Sequence, residues 1–523
     1  MPNLDRLCKQ GYRSNLRSTI PAITPTAWTS FATGMNPGKH GIYGFMAPHA
    51  APGGYACPPA RRDLIDQPSL WRRLSSIGQE SIVLNVPMTY PAEPIKGSLV
   101  TGMFTPGLNE KCTYPASLRQ ELLRNNCMPR FDLNLIQGQT GREGERMQKA
   151  LQEDAAEFFA DVNDMTDGLH EAAKYVINKT WQFFMVVFVG TDRVQHCLYD
   201  KVVSIGPGGR SRLAQRIRDY YAKVDNIIGD IVQRAGKETL CILMSDHGFG
   251  PCAGRFYLGR WLIEAGYARF QPRRLHSFAK RVFEITGTKR LVARRLPDRT
   301  VARVASSSYP LDWSKSKAFF AFGDGIRINV RGREPLGIVA PGSEYEQLRA
   351  ELRERLLVLE DLGGERLISE VWFPEQIYKG KHLQWAPDLI VEANKERSYI
   401  FLKGQIHSPK LAESLPHYPG NHRPEGIFLA CGPAVKPNTN GREAQIIDVA
   451  PTIMWRLGLS VPADMDGQPI KEAFIGDPDK QTIEIAEEAQ APKKRLPDSR
   501  QAKYTENEEA ALKQRLKNLG YID

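Results

Sequence analysis

The chain has 523 residues, of which 41% are hydrophobic and 25% are charged. These proportions are typical of soluble globular proteins and exclude a wholly disordered or fibrous chain. The formal net charge is +11, and most of it lies between Arg269 and Arg303, where eleven basic residues and two acids leave a surplus of +9. The rest of the chain is therefore close to neutral.

The eight cysteines are scattered and form no CxxC pair. This pattern predicts reduced, mostly buried thiols and a cytoplasmic protein. The most apolar run, residues 183–189, is far shorter than the roughly 20 residues that a membrane-spanning helix needs. The first ten residues, MPNLDRLCKQ, do not resemble a signal peptide.

Short apolar runs alternate with amphipathic stretches along the chain. The runs are rich in Val, Ile and Phe, as strands buried on both faces are, whereas residues 142–179 and 213–234 have helical periodicity. This alternation predicts an α/β fold with a central, mostly parallel sheet that has helices on both faces. The predicted strands are residues 81–86, 183–189, 239–244, 389–391 and 426–430.

Four regions follow one another. Residues 1–255 and 381–476 are predicted to form two parts of one core, and residues 256–380 an inserted basic cap with a strand-like run at 319–330 and a charged helix near 344–359. Residues 477–523 are predicted to be a polar linker that ends in an amphipathic helix. Thr505 and Glu508 would form its capping box and Gly520 its C-terminal cap. We expect this helix to pack on the body of the protein or on a second subunit.

Two polar motifs directly follow predicted strands. TDRVQH at residues 191–196 places Asp192 and His196 on one face if it is helical, and SDHGFG at residues 245–250 joins Asp246 and His247 at a strand-to-loop turn. Either pair alone is common on protein surfaces. Their positions favour a ligand site, because open α/β sheets bind ligands just beyond the ends of their strands.

Two further segments carry reactive side chains. His422 lies in the rigid loop PGNHRPEG at residues 419–426, and residues 23–41 are crowded with hydroxyl groups, of which Thr24 is the first. A hydroxyl is a weak nucleophile unless a base or a metal activates it; the alternative is a helix entry that Thr24 caps. Aspartate and histidine ligands with an open position are typical of catalytic metal sites, and two such metals can stabilise phosphoryl transfer.

These motifs occur in the order of a known family. The chain resembles the alkaline phosphatase superfamily and, within it, the type I phosphodiesterase/nucleotide pyrophosphatase-like proteins. The resemblance covers roughly residues 1–255 and 380–475, and it implies an alkaline phosphatase-like fold that hydrolyses phosphate esters. The matching segments are TPTAWTSFATGMNPGKHGI (24–42), TDRVQH (191–196), SDHGF (245–249), GNHRPEGI (420–427) and DVAPTI (448–453).

The resemblance implies two divalent metal ions, zinc or else manganese. The implied ligands are Asp192, His196 and His422 for one ion, and Asp246, His247 and Thr24 for the other. It also implies that Thr24 is the nucleophile and forms a phosphothreonine, with Thr26 and Thr29 as alternatives. His40 is assigned a structural role in its loop. Sulfatase chemistry is disfavoured, because position 24 is Thr and the arginine of the sulfatase pattern does not follow it.

The chain departs from the family pattern in two places. The family normally begins with a buried strand whose final Asp completes the second metal site; neither is present, and Asp5 belongs to the helix that follows. We expect an upstream start to supply this strand, the alternative being a truncated enzyme that is weak or inactive. Phe45 stands where nucleotide pyrophosphatases place an Asn beside the phosphoryl group, so the candidate substrate-binding residues are Lys39, Asn85 and Thr89.

We therefore predict a two-metal hydrolase of phosphate esters, in particular diesters, that binds a phosphorylated small molecule or diester. The alternatives are a phosphomonoesterase or phosphomutase with the same metals, and a non-catalytic or weakly active homologue without a complete metal pair. For the basic stretch between Arg269 and Arg303, a packed amphipathic cap is favoured over steering of an anionic substrate, contact with an anionic membrane and, least favoured, nucleic acid binding. Homo-oligomerisation stays open.

Overall fold

The computed structural model describes residues 1–47, 49–51, 54–56, 58–133, 154–205, 209–270, 311–321, 323–361, 363–394, 396, 398–402, 411–414, 419–438, 440–478, 504–519 and 522. Most of the basic stretch between Arg269 and Arg303, residues 142–153 and Gly520 lie outside the described residues. The interpretations placed on them stay predictions, as do the domain boundaries, the cytoplasmic location and the homo-oligomer.

The predicted α/β class is confirmed, with helices and strands alternating along the described chain. Its thirteen α-helices are α1 (Pro2–Gln10), α2 (Thr24–Thr33), α3 (Pro37–His40), α4 (Leu70–Ser76), α5 (Ala116–Arg124), α6 (Ala156–Val176), α7 (Gly190–Ser204), α8 (Arg212–Ala235), α9 (Leu258–Glu264), α10 (Ser343–Leu357), α11 (Pro374–Ile377), α12 (Val449–Arg456) and α13 (Glu506–Asn518). No described helix combines the length and the apolar character that crossing a bilayer requires.

The described strands fall into five sheets. They are β1 (Tyr12–Arg17), β2 (His49–Ala51), β3 (Gly54–Ala56), β4 (Ser81–Val86), β5 (Gly97–Thr101), β6 (Thr113–Tyr114), β7 (Phe183–Val186), β8 (Cys241–Met244), β9 (Gly248–Tyr257), β10 (Ala318–Phe320), β11 (Gly325–Ile328), β12 (Ile368–Trp372), β13 (Leu389–Ala393), β14 (Ser398–Leu402), β15 (Ala412–Glu413), β16 (Gly420–Arg423), β17 (Glu425–Cys431) and β18 (Ala444–Gln445).

Two four-stranded sheets carry the site. One has the order β6-β5-β4-β7, in which β4 runs parallel to both β5 and β7. The other has the order β18-β1-β17-β8, in which β17 runs antiparallel to both β1 and β8. The expectation of a mostly parallel sheet is therefore corrected to mixed sheets. An apolar run indicates that a strand is buried on both faces. Burial does not determine whether the neighbouring strand runs parallel or antiparallel to it.

A third sheet, with the order β10-β11-β13-β12, is antiparallel throughout. The strand-like run predicted at residues 319–330 is a hairpin, since Gly323 and Asp324 turn the chain with φ angles of 59° and 51°. The predicted charged helix is α10, whose Leu348, Leu352 and Leu356 are buried in the same apolar cluster as this sheet. The predicted strand at 389–391 also belongs to this sheet, as part of β13.

The remaining described strands form β9 with its neighbours β14, β15 and β16, and the hairpin β2–β3. The C-terminal helix α13 has the predicted capping box, in which the Glu508 amide donates to Thr505 Oγ1 and the Thr505 amide donates to Glu508 Oε2. Leu512 and Leu516 on its inner face are buried. This helix therefore packs on the body of the protein.

Candidate active site

The first helix of the site, α2, begins at the candidate nucleophile. Its N-cap is Ile23, and Thr24 is the first helical residue, so the alternative in which Thr24 caps the helix is wrong. Pro25 follows it, at a position where the missing N–H costs no helical hydrogen bond. All ten residues of α2 are buried. The Thr24 side chain is thus held at the start of a rigid helix, with Oγ1 3.4 Å from His247 Nε2.

The second segment is the start of α7, which follows β7. Asp192 lies in its first turn and His196 one turn later, so the two side chains share a helix face as the spacing predicted. The distance from His196 Nε2 to Asp192 Oδ1 is 3.5 Å. Both residues therefore lie beyond the end of a strand of the parallel part of the fold.

The third and fourth segments bring in the other two imidazoles. His247 follows β8, and His422 lies on β16, where its partner on β9 is Phe249. The phenyl ring of Phe249 packs against three imidazoles, with centroid distances of 4.8 Å to His196, 5.6 Å to His247 and 5.3 Å to His422. Phe249 stands inside the motif SDHGF, but nothing in that motif indicates that its ring supports three imidazoles.

These four segments converge on one carboxylate oxygen, Asp192 Oδ1. It lies 3.5 Å from His422 Nε2, 3.5 Å from His196 Nε2 and 4.0 Å from His247 Nε2. His247 Nε2 is also 3.3 Å from Asp246 Oδ2. We call Asp192, His196, His247 and His422 the imidazole cluster. The structure thus gathers all six residues of the two predicted ligand sets, and their division into two separate metal sites stays a prediction.

The backbone fixes the tautomer of each imidazole. In every case Nδ1 faces a carbonyl oxygen, and because a carbonyl can only accept, Nδ1 carries the proton. The pairs are His196 with Gly420 at 3.1 Å, His422 with Ala22 at 3.1 Å and His247 with Gly248 at 3.2 Å. In the neutral rings, Nε2 is then a bare lone pair. The Nε2 atoms of His196 and His422 are nevertheless only 2.9 Å apart.

Burial keeps the rings of His196 and His422 neutral. It lowers the pKa of His196 to about 4 and holds the pKa of His422 well below its usual range. Burial opposes the ionisation of Asp192, but the neighbouring imidazoles and the Arg193 guanidinium outweigh it and hold the pKa of this carboxyl well below its usual range. Burial raises the pKa of Asp246 to about 6. The cluster therefore presents lone pairs and a carboxylate to one point.

The donor set fits a divalent cation. Ligand atoms of Asp192, His247 and His422 lie within 4.8 Å of one another. Nitrogen lone pairs that face each other repel unless a positive charge lies between them, and imidazole with carboxylate is a usual donor set for zinc. Ligating histidines commonly donate their other ring N–H to a carbonyl, as all three do here. The identity and the number of the ions stay predictions.

The other candidate hydroxyls of α2 face elsewhere. Thr29 Oγ1 donates to the Pro25 carbonyl oxygen at 2.7 Å. Thr26 is fully buried, and its Oγ1 has no hydrogen-bond partner among the described residues. This placement supports Thr24 over the two alternatives.

His40 is embedded in its own loop, as its structural assignment requires. Its Nδ1 accepts a hydrogen bond from the Ile42 amide at 3.2 Å, so Nε2 carries the proton and donates to Ser30 Oγ at 2.9 Å. Burial lowers the pKa of His40 to about 3. Both ring nitrogens are therefore used by the scaffold, one by the Ile42 amide and the other by a hydroxyl of α2.

The three candidate substrate-binding residues are each held by the scaffold. Lys39 Nζ lies 2.8 Å from the Asp464 carbonyl oxygen and 2.6 Å from the Asp466 carboxylate. Asn85 Nδ2 donates to the Val187 carbonyl at 2.8 Å, and Thr89 Oγ1 donates to the Val86 carbonyl at 2.6 Å. The structure does not bring them into the imidazole cluster, and their contact with substrate stays a prediction.

This α/β fold gathers buried imidazoles and carboxylates beyond its strands. Such an arrangement is typical of metal-dependent hydrolases. The chain belongs to the type I phosphodiesterase/nucleotide pyrophosphatase family, whose model matches residues 1–412. The predicted family and enzyme class are thereby confirmed, and the protein is a phosphoric ester hydrolase of a family that is metal-dependent in general. No curated protein sequence matches the chain.

Solved structures similar to this one are distant in sequence. Alkaline phosphatase PafA is 12% identical, with 90% of this chain and 93% of that chain covered and a TM-score of 0.46. An inactive variant of murine ectonucleotide pyrophosphatase/phosphodiesterase 5 in complex with AMP is 12% identical, with 91% and 94% covered and a TM-score of 0.46. Phosphonoacetate hydrolase from Sinorhizobium meliloti, in complex with phosphonoformate, is 13% identical, with 86% and 88% covered and a TM-score of 0.47.

Proposed function

We propose that this protein hydrolyses phosphate diesters by attack of Thr24 Oγ1 on phosphorus, with the help of divalent metal ions. One observation carries the proposal. Three imidazole Nε2 atoms, each fixed as an acceptor by a carbonyl on the other side of its ring, converge on Asp192 Oδ1, and one of them is 3.4 Å from the Thr24 hydroxyl. Membership of the type I phosphodiesterase/nucleotide pyrophosphatase family indicates that the substrate is a phosphoric ester.

In this proposal, Asp192, His196 and His422 hold one ion, and Asp246 and His247 hold another beside Thr24. Zinc is the preferred metal for this donor set, and manganese is the alternative. The ions, when bound, offset the charge of the phosphate and favour ionisation of the attacking hydroxyl.

Thr24 supplies the nucleophile. Its Oγ1 forms a bond to phosphorus while the bond to the leaving alcohol oxygen breaks, and water then cleaves the phosphothreonine. The N-terminal end of α2 carries a partial positive charge, which stabilises negative charge on the Thr24 oxygen. Because α2 is buried along its whole length, the Thr24 backbone is held in place.

The test is hydrolysis of bis(p-nitrophenyl) phosphate beside p-nitrophenyl phosphate by the full chain loaded with zinc or manganese. We expect diester turnover that Thr24→Ala lowers by roughly 10³-fold or more, since the nucleophile is lost. Thr33→Ala is the matched control, because this hydroxyl is buried in the same helix and donates to the Thr29 carbonyl. It should keep turnover near the wild-type rate.

Other outcomes decide between the alternatives. Turnover of the monoester alone would favour a phosphomonoesterase or phosphomutase. Loss of turnover in Thr29→Ala with retention in Thr24→Ala would contradict the assigned nucleophile. A metal-loaded chain that is silent on both esters would favour the non-catalytic or weakly active alternative.

A further inference from the structure

The outer oxygen of Asp192 is held by its neighbour in sequence. Arg193 is 3% exposed, and its Nη1 lies 2.6 Å from Asp192 Oδ2. The other oxygen, Oδ1, is the one on which the imidazoles converge. The Arg193 guanidinium thus contacts Oδ2 of this carboxylate, and the imidazoles approach Oδ1.

A second buried carboxylate fixes the guanidinium. Arg193 Nε lies 3.0 Å from Asp132 Oδ1, and Arg193 Nη2 lies 3.0 Å from Asp132 Oδ2. Two parallel bonds of this kind set the plane of the guanidinium as well as its position. The Asp132 side chain is completely buried, and Oδ1 also accepts a hydrogen bond from the Leu133 amide. Arg193 can therefore neither rotate nor withdraw without leaving a charge uncompensated in the interior.

The pairing of these groups places one anion at the site. Arg193 forms two bonds to Asp132 and one to Asp192 Oδ2, and Asp132 also interacts with Arg515 of α13. Of the two carboxylates, Asp192 is the one whose other oxygen faces the imidazoles. A neutral cluster of lone pairs with one adjacent anion attracts a cation.

The C-terminal helix covers this ion pair from outside. Arg515 on α13 lies close enough to interact electrostatically with Asp132 and Arg193, and its Nη1 donates to the Thr105 carbonyl at 3.0 Å. Leu516 of the same helix is buried in the apolar cluster that also contains Leu133. This cover keeps water from the pair, which strengthens its hydrogen bonds.

We propose that Arg193, anchored by Asp132, is a positioning residue that orients the Asp192 carboxylate toward a bound metal ion. The inference rests on the proposed function, because it needs the imidazole cluster to bind metal. Lysine cannot take over this role, since a single ammonium group cannot form the two parallel bonds to Asp132 and the third bond to Asp192 at once.

The test is the zinc affinity of the full chain, measured by competition with a chromophoric chelator, with circular dichroism to check folding. We expect Arg193→Lys and Asp132→Asn each to weaken zinc binding by about 10–100-fold, the usual effect of losing a residue that orients a metal ligand. The matched control is Arg327→Lys. Arg327 is equally buried, at 1%, and is paired with Glu334 in the third sheet. It should bind zinc within about twofold of the wild type, since no zinc ligand depends on it.

Each outcome is decisive. Wild-type zinc affinity in folded Arg193→Lys or Asp132→Asn overturns the positioning role, and so does an equal loss in Arg327→Lys, which would indicate general destabilisation. If Arg193→Lys does not fold, Asp132→Asn decides alone, because its side chain has the same shape. A wild-type chain that binds no zinc or manganese overturns the proposed function and this inference together. If the wild type binds zinc and both variants bind it equally well, the inference alone is overturned.

Discussion

Two buried polar clusters in different parts of this molecule are built in opposite ways. Beside the third sheet, an arginine cluster (Arg327, Arg333, Glu334 and Asp388) sets two guanidinium groups against two carboxylates, with N–O distances of 2.6–2.9 Å. Every cation there meets an anion. In the imidazole cluster, by contrast, nitrogen lone pairs face one another and one carboxylate oxygen.

The difference separates a structural cluster from a binding site. The arginine cluster is complete in its ion pairs, because each guanidinium has a carboxylate partner. The imidazole cluster consists of acceptors at its centre, and a set of acceptors becomes stable only when a cation is added. Burial alone therefore does not distinguish the two clusters. The imidazole cluster differs because acceptor atoms face one another at its centre.

The largest effect on stability is expected from breaking the complete cluster. Glu334→Leu leaves Arg327, which is 1% exposed, without its carboxylate partner, and should lower the free energy of unfolding by about 3–5 kcal/mol. Urea denaturation measures this change. The control is Glu443→Leu, which removes a half-exposed partner of Arg17 at 3.8 Å and should cost less than about 1 kcal/mol. Equal losses in the two variants would contradict the comparison.

A smaller effect is expected from completing the other cluster. Zinc that binds the imidazole cluster of the folded chain should raise the free energy of unfolding by about 2.7 kcal/mol when free zinc exceeds its dissociation constant 100-fold. Thermal melts with zinc and with excess chelator measure the shift. The same shift should appear in a folded variant of the arginine cluster such as Arg327→Lys, because the two clusters share no residue. A melting temperature indifferent to zinc in the wild type would contradict the interpretation of the imidazole cluster.

The smallest effect is expected at an ion pair that belongs to neither cluster. Asp66 contacts Lys381 and lies 3.4 Å from His382 Nε2, whose ring packs near Gly41. Burial opposes ionisation of Asp66, but hydrogen bonds from His382 and Lys381 outweigh it and lower its pKa to about 2. A lowered pKa in the folded state means that the ionised group stabilises the fold above its ordinary pKa of 3.8 and that this stabilisation is lost as the pH falls toward 2.

Asp66→Asn should therefore reduce stability at pH 6 and differ less from the wild type at pH 3. Urea midpoints at the two values measure this convergence. Asp5→Asn is the control, since Asp5 forms an exposed pair with Lys9 one turn away. A constant difference between Asp66→Asn and the wild type at both pH values would show that the contact does not depend on the charge.

Much of the site could be predicted from the sequence because its ligands lie in short motifs beside recognisable strands. Asp192 and His196 share a helix face by spacing alone, and the loops after β7 and β8 are where α/β folds place ligands. Asp132 could not be found in this way. It meets Arg193 across 61 positions of sequence, and nothing in its own neighbourhood indicates that a guanidinium will lie against it.

The fold was predictable at the level of elements and less so in their arrangement. Residues 81–86 match β4, and the capping box at Thr505 begins α13 as the pattern indicated. The directions of β8 and β17 were not predictable, because long-range pairing decides them. The run at 319–330 became two strands because a Gly at position 323 allows the chain to turn back.

The position of β17 has a consequence for the order in which the protein is made. This strand lies between β1 and β8, so both must wait for a segment that the ribosome produces much later. The contact between the Ala22 carbonyl and His422 likewise spans 400 positions. A growing chain that has passed Thr24, Asp192 and His247 therefore still lacks His422, the last residue of the imidazole cluster. The cluster can assemble only after residue 422 has been synthesised, so we expect the proposed metal site to form late in folding.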